Sequence, residues 1–443
     1  MAKHKGECAM DRDFSLPDGT HTVILGIGDT NGIMRGKRIP ASHWDTICKQ
    51  GNALSIAMLA IDMNCDVWDT PYVNFDNGYP DMHMFPLTKP VSVPWEAGVA
   101  ICFGRAEGVD QKPVPIDPRN ALIAQVDRAR AMGFDIMCGT ELEFYLLDPE
   151  TGRPRDSGID VYGLSRAAEM EHVLGPIRSQ INECGVPIEQ SNPEYAAGQV
   201  EVNIRYGDAL QAADRVVLFK TLVKQLAVSQ NYLATFMPKP FFEESGNGFH
   251  THYSLWRDGQ NMMSDGGKIS ATGKAFVAGL QKRMCEMSIC CSGTVNGYRR
   301  RQPYTFCPIN TAWGYDNRTV GLRVIEAHDP SHSSKVRVEK RDAGADANPY
   351  LLLAAEIAAG LDGIEQGLEP ADPVLGNAYE EADATPLPTD LGTAIGLARG
   401  SDWLKGVLGD LLWELTCQQA EREQGFFEQQ VTQVELDRYL RTF

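Results

Sequence analysis

A chain of 443 residues, 43% of them hydrophobic and 23% charged, holds enough material for two or three domains with a sizeable core. No run of about 18 apolar residues occurs and the start, MAKHKGECAMDRDFSLPDG, lacks an apolar leader stretch, so a membrane span is excluded and a cytoplasmic location is expected. A formal charge of -18 argues against nucleic acid or an anionic membrane as partner, and it suits both solubility and the attraction of a cationic small molecule.

From residue 21 to 115 the pattern is one of short strands and turns. HTVILGIGDTNGIMRGKRIP predicts a hairpin, two strand-forming runs about Asp29, Thr30, Asn31 and Gly32. A separate N-terminal domain, residues 1–115, is therefore expected, ending at the proline-containing DQKPVPIDP, with a second domain over 116–443. The second domain opens with a helix: Asp117 is its N-cap, Pro118 its first residue, and Gly133 follows its last turn. Strands are then predicted over 134–147, 199–205, 249–255, 319–324 and 335–341, and helices over 165–184, 208–230, 270–287, 348–366 and 403–428. The fold class is α+β, with helices covering one side of a largely antiparallel sheet. The eleven cysteines are scattered without a CxxC pair, the one close grouping being Cys285, Cys290 and Cys291, as expected of free thiols in a reducing compartment.

Strand residues alternate between faces, so in GTELEFYLLD the side chains of Glu141, Glu143 and Tyr145 share one side and Leu142, Phe144 and Leu146 the other. One such pair of acids is compatible with a solvated face. The pattern recurs, however: Gln199, Glu201, Asn203 and Arg205 with Glu194 in the preceding turn; His250, His252 and Ser254; Arg337, Glu339 and Arg341. Four such strands predict a curved sheet whose concave face is a polar site. The acids Glu141, Glu143, Glu194, Glu201 and Glu339, with imidazoles and no thiolate, favour hard divalent cations such as Mg²⁺ or Mn²⁺. Arg299, Arg300, Arg301, Arg318, Arg323, Arg337 and Arg341 supply forks for phosphate and carboxylate. Metals with arginines point to phosphoryl transfer, yet neither GxxxxGK[ST] nor GxGxxG at a strand–helix junction is present, so a nucleotide would need another architecture.

NGIMRGK, ELEFYL, the Glu194 and Glu201 pair, FMPKP before GNGFHTH, NGYRR, DNRTVGLR and RVEKRDAGADANPYL together resemble the glutamine synthetase superfamily, in the family's order and over essentially the whole chain. The resemblance implies an N-terminal β-grasp domain, a C-terminal catalytic domain round a curved antiparallel sheet, and hexameric rings stacked as a dodecamer with each site between neighbouring subunits. It implies Glu143, Glu194 and Glu201 as ligands of one metal and Glu141, His250 and Glu339 as ligands of a second that bridges nucleotide phosphates. Arg300, Arg318 and Arg341 resemble arginines that hold glutamate and the transferring phosphoryl group, and Arg323 and Arg337 resemble nucleotide-phosphate contacts. His252 and Ser254 fall where the family contacts ATP. Asp62 and Asp81 fall in stretches that resemble those reaching the next subunit's site near the incoming amine, and Tyr379 lies near a position that some members modify.

One departure from the family stands out. Ammonia-using members carry a glutamate that closes over the acyl phosphate and helps to deprotonate ammonium, and counting from Arg300 places Phe306 there. An aromatic wall suits an amine with an organic group. DNRT, AGADANPYL and VELDRYLRTF also resemble the branch that joins polyamines, alkylamines or anilines to glutamate. The expected activity is an ATP-dependent glutamate–amine ligase that works through a γ-glutamyl phosphate and releases ADP and phosphate. The alternatives are an ammonia-using glutamine synthetase and a catalytically silent relative; which amine is used stays open.

Overall fold

The hairpin forms where the turn residues place it. Strands β1 (Thr22–Gly28) and β2 (Met34–Pro40) pair antiparallel from Thr22 opposite Pro40 to Gly28 opposite Met34. Gly32 closes the turn at φ +72°, in the left-handed region open to glycine, and donates to the Asp29 carbonyl at 3.0 Å. The buried Asp29 carboxylate accepts from the backbone of Asn31 and Ile33 and pairs with Arg35, which fixes the tip. β3 (Asn52–Ser55), β4 (Asp81–Pro86), β5 (Val91–Ser92) and β6 (Val99–Gly108) complete a sheet of order β2-β1-β6-β4-β3, with β5 on β6 and β1 parallel to β6. The computed structural model describes residues 13–155, 158 and 161–443, so the start MAKHKGECAMDR lies outside the described residues. A helix over Trp44–Gln50, unforeseen in the sequence, packs on this sheet through Trp44 and Ile47.

The second sheet carries the polar face. Its strands are β7 (Asp135–Leu147), β8 (Ile188–Pro193), β9 (Gln199–Asp208), β10 (Leu233–Thr235), β11 (Phe249–Arg257) and β12 (Gln260–Asn261); β13 (Ser264–Asp265) and β14 (Lys268–Ile269) form a separate ribbon. β15 (Trp313–Tyr315), β16 (Leu322–Ile325) and β17 (Arg337–Lys340) finish the order β15-β16-β17-β11-β7-β9-β8. All neighbours along it are antiparallel except β15 and β16. The odd-even alternation works as expected on the inner side: Leu142, Phe144, Val200, Val202, Phe249, Tyr253 and Val338 are fully buried. They join one core with helices Ala209–Ser229, Ala271–Arg283 and Pro349–Gln366. The last of these is apolar nearly all round and buried accordingly. Its N-cap Asn348 accepts from the Tyr350 amide and also donates to the carbonyls of Asp29 and Thr30, so one side chain ties the hairpin tip to the central helix.

The differences from the sequence reading have local causes. The helix expected over 403–428 breaks into Asp402–Leu408 and Asp410–Glu428 because Gly409 sits at φ +78°. The strand expected from 319 starts at Leu322, since Asn317 accepts from the Thr319 amide and folds that stretch as a turn. The helix over 270–287 ends at Arg283. The short strands β8, β10 and β15 and the helices Leu391–Arg399 and Gln433–Tyr439 were unforeseen.

Candidate active site

Strand register assembles the polar face. Across β16, β17, β11, β7 and β9, Arg323 lies opposite Glu339, Glu339 opposite His252, His250 opposite Glu141, Glu141 opposite Asn203, and Glu143 opposite Glu201. Directly opposed side chains sit close enough to interact, so five strands converge on one patch. The patch is the floor of a cavity of ≈ 510 Å³ lined among others by Glu141, Glu143, Glu194, Glu201, His250, His252, Glu339, Arg300, Arg318, Arg323, Arg337 and Arg341. A second cavity of ≈ 500 Å³ shares Glu141, Gln190, Asn203, His252 and Arg337 with it and continues past Ser254, Tyr206 and Trp256.

Two ligand groups emerge. Glu141, His250 and Glu339 offer atoms within 4.8 Å of one another, and so do Glu143, Glu201 and His250. His250 therefore borders both. Glu194 lines the same cavity but falls outside either close group, its carboxylate accepting from Asn192 at 3.0 Å. Gly248 keeps this corner open: a Cβ there would lie 2.6 Å from the Arg300 guanidinium and 2.8 Å from the His250 ring, and its amide donates to Glu143 at 2.6 Å.

The charges on the two sides differ. Burial works to raise the Glu141 carboxyl, but the imidazoles of His252, 3.0 Å away, and His250 hold it well below the usual carboxylate range. Burial likewise opposes ionisation of Glu339, and Arg341 with His252 and His250 brings it down to about 2. Arg323 adds a contact of 3.0 Å to Glu339. On the other side burial, then the Glu143 carboxylate, pushes Glu194 up to about 7. Burial and the carboxylates of Glu141, Glu143 and Glu194 push Glu201 up to about 9. Acids crowded in this way are the setting in which a divalent cation takes the place of protons. The donors are hard oxygens with one imidazole, which fits Mg²⁺ or Mn²⁺ better than softer metals.

The arginine cluster divides. Arg300, Arg318, Arg323, Arg337 and Arg341 face the cavity, whereas Arg299 is exposed outside it and Arg301 is buried, donating to the Pro388 carbonyl at 2.7 Å. Arg205, expected beside Glu201, is exposed. A bulge in the β7–β9 ladder between Cys138 and Thr140 shifts the alternation, and Tyr206 lines the second cavity instead. Ser254 accepts from the Trp256 indole at 2.9 Å in that cavity. Asp62 and Asp81 lie outside both cavities: Asp62 caps its own loop and pairs with Arg422 at 2.7 Å, and Asp81 opens β4 at the surface. Phe306 does line the first cavity, and so do Tyr162 and Tyr195, two residues the sequence reading passed over. Tyr379 is half-buried, its hydroxyl donating to the Cys307 carbonyl.

With this geometry in hand, comparison with known proteins is direct. Residues 115–439 match the family described as glutamine synthetase, catalytic domain. A glutamate–isopropylamine ligase of Pseudomonas sp is 32% identical over 423 residues, covering 90% of each chain. A γ-glutamylethanolamide synthetase of Streptomyces coelicolor is 34% identical over 433 residues, covering 94% of this chain and 92% of its own. The solved structure described as the GmaS/ADP complex superposes with a TM-score of 0.85 at 29% identity, over 96% of this chain and 97% of that one. Among the described residues no helix is long and apolar enough to cross a membrane. The sheet order, the convergent acids and arginines and these matches over nearly the full length place the chain in the glutamine synthetase family.

Proposed function

We propose that this protein joins the γ-carboxylate of glutamate to an organic amine, using ATP. The observation that carries the reading is the composition of one cavity: two carboxylate–imidazole groups and five arginines on its floor and walls, with the Phe306 ring beside them. The names of the ligase relatives support the same chemistry. Glu141, His250 and Glu339 would hold one Mg²⁺ or Mn²⁺ ion, and Glu143 and Glu201, with Glu194 adjacent, a second. Such ions supply neutralisation of phosphoryl charge.

The chain's own groups do the rest. ATP enters by the second cavity, where His252, Ser254 and Arg337 lie, with Tyr206 and Trp256 giving an apolar wall for the base. Arg300, Arg318 and Arg341 hold the glutamate carboxylates and the transferring phosphoryl group, and Arg323 and Arg337 hold nucleotide phosphates. The γ-carboxylate oxygen attacks the terminal phosphorus and ADP leaves. The neutral amine then attacks the acyl carbon, the C–O bond to phosphate breaks, and the amine proton passes to a base in the cavity. Phe306 lines the cavity; by the family resemblance it takes the place of the carboxylate that would hold ammonium, so the site would present an apolar surface to the nucleophile.

Residues 1–115 would form the β-grasp domain, a reading supported by β1 running parallel to β6, and residues 116–443 the catalytic domain. Hexameric rings stacked as a dodecamer would bring Asp62 and Asp81 to a neighbour's amine site. Bare apolar side chains on and after the last helix, Val434, Leu440 and Phe443, support association. Sedimentation is expected to give a mass several times 48.8 kDa; a fully active monomer would contradict the shared site. The reaction itself is tested by phosphate release in wild-type protein given ATP, glutamate and an amine. Release should need all three and should be faster with organic amines than with ammonia. Release that ammonia alone supports would favour a plain glutamine synthetase.

A further inference from the structure

In a cavity lined mainly by charged and polar groups three rings are exposed, those of Tyr162, Tyr195 and Phe306, and the last two stack on each other. Tyr195 and Phe306 are 46% and 45% exposed, and their centroids lie 5.8 Å apart with planes 27° off parallel. Both line the first cavity, Tyr195 directly after Glu194 and Phe306 between Thr305 and Cys307. Together they form a continuous aromatic ledge. Exposed apolar surface of this kind, in a concave site rimmed by polar groups, marks the place where a ligand covers it.

The ledge is held at a cost to the backbone. Phe306 sits at φ +57° and Tyr304 at φ +62°, left-handed conformations that aromatic residues seldom adopt and that persist only where surrounding contacts enforce them. Those contacts come from the 377–388 segment. The Tyr379 hydroxyl donates to the Cys307 carbonyl at 3.2 Å, and its ring packs 5.2 Å from that of Tyr304. The Tyr304 hydroxyl donates to Glu380 at 3.3 Å, and Asn377 donates to the same oxygen at 2.8 Å. At the far end Asn310 donates to the Ala378 carbonyl at 2.6 Å. Tyr379 thus braces the back of the loop whose front carries Phe306. Burial, with Cys307 next to it, pushes the Tyr379 phenol up to about 12, so it remains a donor at neutral pH.

We propose that Tyr195 is a specificity-determining residue, its ring and that of Phe306 forming a ledge for the apolar substituent of a primary monoamine, and that Tyr379 is the positioning residue that keeps Phe306 on it. The proposal rests on the reading that the chain uses an organic amine, and it names the class. A distal ammonium would want a free carboxylate. Of the acids on the cavity floor, Glu141 and Glu339 are engaged with His250, His252, Arg323 and Arg341, Glu143 and Glu201 are gathered with His250 in one ligand group, and Glu194, beside that group, accepts from Asn192. An alkyl or aryl group gains from the rings without needing one.

The test is kcat/KM for ammonia, n-butylamine, benzylamine and 1,4-diaminobutane, with ATP and glutamate saturating, in wild type, Tyr195→Ala, Tyr195→Phe and Tyr379→Phe. Wild type should prefer n-butylamine and benzylamine to the diamine. Tyr195→Ala should lower kcat/KM for those two by about 5- to 30-fold, chiefly through KM, while Tyr195→Phe retains it. Tyr379→Phe, which loses one hydrogen bond and keeps the ring, should raise KM for the same two amines by about 3- to 10-fold and leave KM for ATP and glutamate unchanged. A preference for the diamine, or equal losses on every amine in Tyr195→Ala, would overturn the ledge while leaving organic-amine ligation standing. A Tyr379→Phe variant with unchanged KM for both amines, or with ATP and glutamate KM raised alike, would overturn the positioning role. A wild type that accepts ammonia alone would overturn the organic-amine reading and the ledge with it.

Discussion

Replacing Glu201 with alanine should abolish phosphate release while leaving the fold intact. Glu201 faces Glu143 across the β7–β9 ladder and shares a close ligand group with Glu143 and His250. Removing it leaves one cation poorly held, and the charge that develops on the transferring phosphoryl group loses its partner. A loss of about 10³-fold or more in kcat, ~4 kcal/mol of transition-state stabilisation, is expected. Stability should hold or rise in the metal-free protein, because burial and three neighbouring carboxylates already disfavour the ionised Glu201 side chain. The measurements are steady-state turnover and the thermal midpoint with and without EDTA. Turnover near the wild-type rate in a folded variant would contradict the assignment of Glu201 to a metal.

Phe306→Glu should exchange one amine preference for another. A carboxylate at this position could hold ammonium while it loses a proton, but it would place a charge beside any apolar substituent and remove the stacking on Tyr195. For an apolar amine the combined cost is about 2–4 kcal/mol, roughly 30- to 1000-fold in kcat/KM. For a cationic polyamine the loss should be smaller, since the new charge partly attracts it. The backbone need not object, because glutamate meets the φ of +57° no worse than phenylalanine does. The comparison is kcat/KM for ammonia, a monoamine, a diamine and an aniline in both proteins. An unchanged order of preference would remove Phe306 from the amine site.

How far the site could be read from sequence depended on whether its residues lay on regular strands. Glu141, Glu143, Glu201, His250, His252, Glu339 and Arg341 alternate on four strands, and alternation alone assigns them to one face. Which acids end up together is a matter of register between strands distant in sequence, and that appears only when Glu143 is found opposite Glu201 and His250 opposite Glu141. The rule failed at the bulge, where Tyr206 replaces Arg205. It gave no periodic signal for Tyr195, which lies on irregular backbone, or for Tyr379, in the three-residue 3₁₀ helix Ala378–Glu380. The arginine cluster was overcounted for a related reason. Arg299, Arg300 and Arg301 sit where the short helix Val295–Arg299 ends, so consecutive side chains point to solvent, cavity and core in turn.

In the N-terminal part, glycine and aspartate named the hairpin turn because the left-handed residue and the capping carboxylate are both local requirements. The helix Trp44–Gln50 and the Gly409 break were not foreseen. A seven-residue helix is too short to establish a period, and a single glycine within a long amphipathic run does not by itself say that the chain will turn there. Asp62 shows the limit of motif transfer. Within one chain its carboxylate pairs with Arg422 and caps its own loop, outside the cavity that holds Phe306, so any part it takes in amine binding must be played in a neighbouring subunit.

The most direct test of the central claim is to identify the product. Wild-type protein with ATP, glutamate, Mg²⁺ and an equimolar mixture of ammonia and n-butylamine is sampled while substrates remain in excess, and the γ-glutamyl products are separated and weighed by mass spectrometry alongside phosphate release. The account predicts γ-glutamylbutylamide as the main product, formed one-for-one with phosphate. Glutamine as the main product, or phosphate released without any amide, would contradict it.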